Sequence, residues 1–215
     1  MLLFLLPYSK RQHRITPKEC REDRFNLEEF EPFSRLIEKR FSIKGSLAPL
    51  YRRFSGSFWE SLELWVMPSR VINYVVENSW VISPLYGLIK PNACIPYAPL
   101  DWREDLFDFW KAHIRNLSER LLKGRVLIPF LSKRYKSLFD LSFSEEIIGF
   151  EYYRKGMKVK NPDKHYAYTL RYIVEKEIDL SEFHRINFYD YQVHEVIKRD
   201  KQTIICLRSE GRYEL

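Results

Sequence analysis

The chain of 215 residues has the length of one domain, and 45% of its residues are hydrophobic and 16% aromatic. This apolar content excludes intrinsic disorder for most of the chain, and no apolar run approaches the roughly 18 residues of a membrane-spanning helix. Lys and Arg number 36 against 29 Asp and Glu, a net charge of +7. We therefore expect one basic domain, residues 1–215, with no membrane segment.

The first half of the chain predicts one buried strand followed by short helices. The apolar run at the N-terminus is too short for a signal peptide and predicts a first strand, Leu2–Leu6, before a polar loop, Tyr8–Arg24. A second buried strand is expected at Trp80–Ser83, and the four prolines of Pro84–Asp101 predict a loop without regular structure. Apolar residues at helical spacing predict helices at Pro32–Phe41, Leu47–Phe54, Ser57–Leu64 and Ser69–Val75.

The second half alternates helices and strands. Its clearest helix begins at a capping box of Asp101 and Glu104 and ends at Gly124. Lys155 and Gly156 form the turn of a predicted hairpin. Further helices are expected at Ser132–Phe139 and Tyr166–Ile178, and strands at Arg125–Leu131, Ile147–Tyr153, Met157–Lys160, Asn187–Val196 and Thr203–Leu207. The fold class is α/β, with a mixed sheet flanked by helices, because two hairpins interrupt the alternation.

The positive charge is concentrated in residues 111–176. This stretch holds 15 Lys and Arg against 7 Asp and Glu, an excess of 8 that exceeds the net charge of the whole chain. Such a concentration is typical of proteins that bind a polyanion, and tyrosines among the lysines suit base stacking beside phosphates. The alternatives are a solvated surface rich in Lys and Glu, and tyrosines that pack a core. We predict nucleic acid as the partner.

Motifs of catalysis and metal binding are missing from the sequence. It contains no phosphate-binding loop, dinucleotide fingerprint, nucleophile elbow or zinc-protease motif, and its five histidines are isolated. We expect no metal and no cofactor. Cys20, Cys94 and Cys206 are scattered without a C-x-x-C pair, which predicts reduced thiols and a cytoplasmic protein.

A succession of short motifs resembles the YaaA family of peroxide stress proteins. L-A-P-L-Y-R-R-F-S-G-S-F-W-E-S-L at Leu47–Leu62 is followed by I-S-P-L-Y-G-L-I-K-P at Ile82–Pro91. Then come I-P-Y at Ile95–Tyr97, D-F-W at Asp108–Trp110 and I-P-F-L-S-K-R-Y at Ile128–Tyr135. The chain resembles a divergent and shortened member of this family.

The resemblance implies a YaaA-like fold with a helix-hairpin-helix element and a DNA-binding protein of the oxidative stress response. Such a protein binds the phosphate backbone without sequence specificity, on duplex or locally unpaired DNA, and limits oxidative DNA damage. The element falls on residues 32–54, where Ile43-Lys44-Gly45 matches the first half of the hairpin. A plain connection between two helices is the alternative at this position.

Ten cations are the candidate phosphate ligands. They are Lys44, Arg52, Arg53, Lys133, Arg134, Lys136, Lys155, Lys158, Lys160 and Lys164. The second interpretation is an enzyme of unknown reaction, with a pocket built from residues of the family motifs. These are Gly56, Tyr86, Gly87, Lys90, Tyr97, Trp110, Ser132 and Tyr135. Alternatively, Gly87 supplies a positive φ, Trp110 fills the core and Ser132 caps a helix.

Overall fold

A mixed sheet, with nine strands in the described part of the chain, forms the centre of the protein. The computed structural model describes residues 1–14, 20 and 27–215. Across the sheet the described strands follow the order β4-β3-β1-β6-β7-β11-β10-β9, with β8 beside β7, while β2 and β5 form a separate ladder. The strands are β1 (Leu2–Leu6), β2 (Ala48–Pro49), β3 (Ser79–Ser83), β4 (Gly87–Ile89), β5 (Cys94–Ile95), β6 (Val126–Pro129), β7 (Glu146–Arg154), β8 (Met157–Lys158), β9 (Asn187–Phe188), β10 (Tyr191–Arg199) and β11 (Gln202–Ser209).

The middle of the sheet is parallel and its margins are antiparallel. Strand β1 runs parallel to β3 and β6, β6 to β7, and β7 to β11, whereas β4, β8, β9 and β10 pair antiparallel with their neighbours. Residues Leu3–Leu6 of β1 are fully buried, as expected for a central strand covered on both faces. The predicted mixed α/β sheet is confirmed.

Seven α-helices surround the sheet in the described chain. The longest, α5, follows the predicted apolar spacing and buries Leu106, Trp110 and Ile114. Its predicted capping box is wrong, because Arg103 precedes the first helical residue and the Asp101 carboxylate pairs with Lys10 at 2.6 Å. The helices are α1 (Glu31–Arg40), α2 (Leu50–Arg53), α3 (Ser57–Leu62), α4 (Ser69–Glu77), α5 (Glu104–Leu122), α6 (Lys133–Lys136) and α7 (Asp163–Lys176).

At residues 32–54 the structure does not show the expected helix-hairpin-helix element. Helix α1 is present, but Ala48 and Pro49 pair with β5 as a strand, which leaves α2 with only four residues. The predicted second helix, Leu47–Phe54, is therefore wrong over its first half. The same pairing places β5 inside Pro84–Asp101, the segment that we expected to lack regular structure, and β4 lies there too.

The cysteines also differ from the prediction. Cys20 and Cys94 form a disulfide, whereas Cys206 is free and buried in β11. The expectation of three reduced thiols is wrong for this pair, because folding brings together cysteines that lie 74 residues apart. Most of the predicted Tyr8–Arg24 loop, namely residues 15–19 and 21–24, lies outside the described residues. None of the helices that the structure describes is both long and apolar enough to cross a membrane.

Candidate nucleic-acid interface

A cavity opens where the parallel strands β6 and β7 separate. The two strands pair only at Val126–Glu146 and Leu127–Ile147. Beyond these pairs, β6 stays beside β1 as far as Pro129, and β7 continues beside β11 as far as Arg154. The cavity beside β7 has a volume of about 610 Å³ and is lined by β7, by the start of β11, and by residues from the segments 131–141 and 158–166.

Four of the ten predicted cations line this cavity. Lys133 and Lys136 come from α6, and Lys158 and Lys160 come from the return strand of the β7–β8 hairpin and the residues after it. These two segments are separated by the whole of β7. The divergence of β6 and β7 therefore gathers cations that the sequence keeps apart.

Three of the four lysines have no carboxylate partner among the residues that the structure describes. The Lys158 ammonium lies 2.6 Å from Glu151, whose pKa is lowered mainly by the hydrogen bond from Lys158. Among the residues that the structure describes, no ion pair involves Lys133, Lys136 or Lys160. Burial lowers the pKa of Lys136, because its ammonium loses part of its hydration without gaining an opposite charge.

The start of α7 also lines the cavity. Pro162 precedes the first residue of this 14-residue helix, and Asp163 and Tyr166 lie in its first turn; all three line the cavity. Burial raises the pKa of Asp163, and it also raises the pKa of Tyr166. A helix N-terminus presents unpaired backbone N–H groups and a partial positive charge, which favour a bound anion.

Gly149 leaves room on the floor of the cavity. It lies in the middle of β7, opposite Ile204 of β11, and an added Cβ would meet no atom within 4 Å. A strand glycine often marks a place where a ligand approaches the backbone. This glycine and Asp163 were not predicted as site residues. The sequence signals were a glycine inside a strand pattern and a Pro-Asp pair at a helix start.

Three of the remaining predicted cations lie in the basic stretch but do not line the cavity. Arg134 pairs with Glu104 and lies over the ring of Phe107, with its guanidinium 4.8 Å from the ring centroid. Lys155 occupies the hairpin turn with a φ of 50°, and Lys164 is exposed in the first turn of α7. Neither lysine belongs to an ion pair in the described part of the protein.

The cations of residues 44–53 do not join this group. Lys44 and Arg52 are exposed, but Arg53 is only 1% exposed. Its guanidinium donates to the carbonyl oxygens of His13 and Ser46, each at 2.8 Å. Arg53 therefore holds the backbone together, and its interior position keeps it away from an external phosphate chain.

Three residues of the predicted family-motif pocket fill the core. Tyr86 and Trp110 are at most 2% exposed, and the Trp110 indole donates to the carbonyl oxygen of Pro84 at 2.9 Å. Gly87 has a φ of 66°, and a Cβ there would lie 2.5 Å from the Trp110 ring. The glycine is required both by its backbone conformation and by this close packing.

The other five pocket residues lie in separate places. The Lys90 ammonium donates to the carbonyl oxygens of Glu77 and Ser79 at the amino end of β3, and burial lowers its pKa to about 8. Ser132 and Tyr135 instead follow the carboxyl end of β6. Because β3 and β6 both run parallel to β1, a strand length of about 15 Å separates the two ends. The structure thus does not bring Lys90 and Tyr135 together.

Gly56 and Tyr97 lie near the residues that follow β1. A Cβ on Gly56 would lie 2.6 Å from the Ser9 hydroxyl oxygen, so the glycine permits close contact between the two segments. The Tyr97 ring lies under the guanidinium of Arg14 at 5.0 Å. Over the described ranges, no group of three or more His, Cys, Asp or Glu residues is arranged to hold a metal ion.

Comparison with known proteins assigns the chain to a family. The family profile described as peroxide stress protein YaaA matches residues 21–197. The chain belongs to this family. The match covers the cavity lysines and the start of α7, but neither β1 nor β11. The resemblance drawn from the sequence motifs is confirmed.

Several bacterial relatives carry the name UPF0246 protein. The one from Francisella philomiragia is 26% identical, over 90% of this chain and 79% of that protein. The relative from Psychrobacter arcticus is 29% identical, over 52% of this chain and 47% of that protein. The one from Limosilactobacillus reuteri is 22% identical, over 79% of this chain and 74% of that protein. The matched parts of the YaaA-family relatives thus range from under half to about four fifths of their length.

Proposed function

We propose that this YaaA-family protein binds DNA through its sugar-phosphate backbone in the cavity beside β7. The observation that carries the proposal is the convergence of Lys133, Lys136, Lys158 and Lys160 on one cavity. Contacts to phosphates carry no sequence information, so binding is independent of base sequence. In the cytoplasm, where we place the protein, this binding would limit oxidative damage to DNA during peroxide stress.

The electrostatics of Lys136 support an anionic ligand. A desolvated ammonium without an opposite charge is unfavourable, and a bound phosphate would remove that cost. The N-terminus of α7, which lines the same cavity, adds backbone N–H groups that are suited to the same anion. Glu151 is already neutralised by Lys158, so it adds little repulsion.

The test is a fluorescence anisotropy titration with labelled single-stranded, duplex and bubble DNA at low salt. We expect binding of at least one form and competition by unlabelled DNA of unrelated sequence. Lys136→Gln is expected to weaken binding about tenfold, because one charged contact contributes about 1–2 kcal/mol. Absence of binding to all three forms at low salt would overturn the proposal.

Lys123→Gln is the matched control. Lys123 is also a lysine of the basic stretch, but it is exposed at the end of α5, 3.1 Å from Glu119, and does not line the cavity. Its replacement removes the same formal charge from the protein. Equal losses of affinity in the two variants would show that net charge, and not the cavity, determines binding.

A further inference from the structure

The disulfide joins two cysteines that are distant in sequence and close together in the fold. Cys94 lies in β5, and the Cα atoms of Cys20 and Cys94 are 6.0 Å apart, within the usual range for a disulfide. Cys20 is half-buried and Cys94 is 9% exposed. Cys206 is buried in β11 without a partner cysteine, so it does not share this chemistry.

Residues 8–14, which we call the N-terminal strap, already lie on the loop that follows Cys94. The side-chain amide of Gln12 donates to the carbonyl oxygen of Ala98 and accepts from its N–H, both at 2.9 Å. Arg14 lies over the ring of Tyr97, and Lys10 pairs with Asp101. The disulfide adds a covalent link to these individually weak contacts.

We propose that Cys20 and Cys94 are a reversible thiol pair that hydrogen peroxide oxidises to the disulfide seen in the structure. In the first step the Cys20 thiolate attacks one peroxide oxygen, the O–O bond breaks, and Cys20 becomes a sulfenic acid; the other oxygen leaves as hydroxide and becomes water by taking up the proton that the Cys20 thiol released. In the second step the Cys94 thiolate attacks the Cys20 sulfur and the S–O bond breaks; the second oxygen leaves as hydroxide and becomes water by taking up the proton that the Cys94 thiol released. Two thiols are oxidised, and one peroxide is reduced to two waters.

Three observations support this chemistry. The N-terminal strap, which precedes Cys20 in the chain, is held by Gln12 against Ala98 in the loop after Cys94, so the two cysteines remain near each other when the link is open. Cys20 is accessible enough to meet a small oxidant. The family to which the chain belongs is named for peroxide stress. Thiol reductants reverse the step by exchange through a mixed disulfide.

The first test follows the thiols of the full chain. The protein is reduced, freed of reductant, treated with hydrogen peroxide under anaerobic conditions, alkylated and mapped by mass spectrometry. We expect the linked Cys20–Cys94 peptide to appear with peroxide, to disappear with dithiothreitol, and to be absent in Cys20→Ser. Cys206→Ser is the matched control and is expected to form the link as the wild type does.

The second test compares the thermal unfolding of the oxidised and reduced protein. The link closes a loop of 74 residues, so we expect the oxidised protein to melt about 5–10 °C higher. This difference should vanish in Cys20→Ser. The proposal is overturned if both cysteines remain open to alkylation after peroxide, if the link forms equally without peroxide, or if the two forms melt at the same temperature.

Discussion

Protonation of the buried His165 should destabilise the fold in mild acid. The residue is 7% exposed, its Nε2 lies 2.9 Å from the Tyr191 hydroxyl, and its ring lies 4.9 Å from the ring of Tyr152. Burial is the main cause that lowers its pKa from 6.5 to about 4, and the charges of Arg154 and Lys164 lower it further. The folded protein therefore keeps this imidazole neutral where an unfolded chain would protonate it.

The size of the effect follows from the two pKa values. Between pH 6.5 and 4 the unfolded state binds more protons than the folded state, so the free energy of unfolding decreases as the pH falls through this window. The loss reaches about 3 kcal/mol at pH 4, since each pKa unit corresponds to about 1.4 kcal/mol. Above about pH 7.5 both states are neutral at this position, and the effect disappears.

Urea unfolding of the wild type and of His165→Gln at pH values from 4 to 7.5 measures this difference. The glutamine keeps a hydrogen-bonding group but does not titrate. We expect the variant to lose about 3 kcal/mol less than the wild type between pH 7.5 and 4. His184→Gln, at an exposed histidine, is the control and should behave as the wild type. Parallel pH profiles for the wild type and His165→Gln would refute the reasoning.

Three further substitutions distinguish residues that affect DNA binding in the cavity from residues that stabilise the fold. Gly149→Leu fills open space on a strand, so anisotropy should show DNA affinity reduced at least tenfold while urea unfolding shows no loss of stability; unchanged affinity would contradict the location of the site. Gly87→Ala forces a Cβ against Trp110 at a positive φ and should cost about 2–4 kcal/mol in the free energy of unfolding; a loss below about 1 kcal/mol would contradict the tight packing described. Arg53→Met removes the hydrogen bonds to the carbonyl oxygens of His13 and Ser46 and should cost about 2–4 kcal/mol of stability, with DNA affinity unchanged in the folded protein; a selective loss of affinity would instead make Arg53 a phosphate ligand.

Elements with a strong local pattern were predictable from the sequence. Strand β1 matches the predicted Leu2–Leu6, and α5 matches the predicted long helix to within a few residues at each end. The hairpin turn at Lys155 and Gly156 is also where the pattern placed it. In each case the residue pattern that predicts the element lies within one short stretch of sequence. The tertiary contacts of the folded protein agree with this local preference and do not change the element.

Short elements that depend on distant partners were missed. Strand β5 has two residues and forms because Ala48 and Pro49 pair with it. The same pairing shortens α2 and replaces the expected helix-hairpin-helix. The disulfide at Cys20 depends on the same region. No local spacing indicates either contact, because each joins segments that are more than 40 residues apart.

Individual lysines of the cavity were predictable from the sequence, but their common position was not. The charge count indicated the basic stretch, and Lys133, Lys136, Lys158 and Lys160 were among the predicted ligands. Their common position depends on where β6 leaves β7, which is a property of sheet pairing and not of the sequence nearby. Arg53 shows the converse: its charge suggested an exposed ligand, but hydrogen bonds to the carbonyl oxygens of His13 and Ser46 hold its side chain in the interior.

The most direct test of the proposed interface is the salt dependence of DNA binding by the wild type and by a Lys133→Ala, Lys136→Gln, Lys160→Ala variant. These three cavity lysines make no ion pair within the described ranges. If each contacts one phosphate of a duplex, the slope of log K against log salt should become shallower by about 2.7 in the variant. An unchanged slope in a folded variant would contradict the assignment of DNA binding to this cavity.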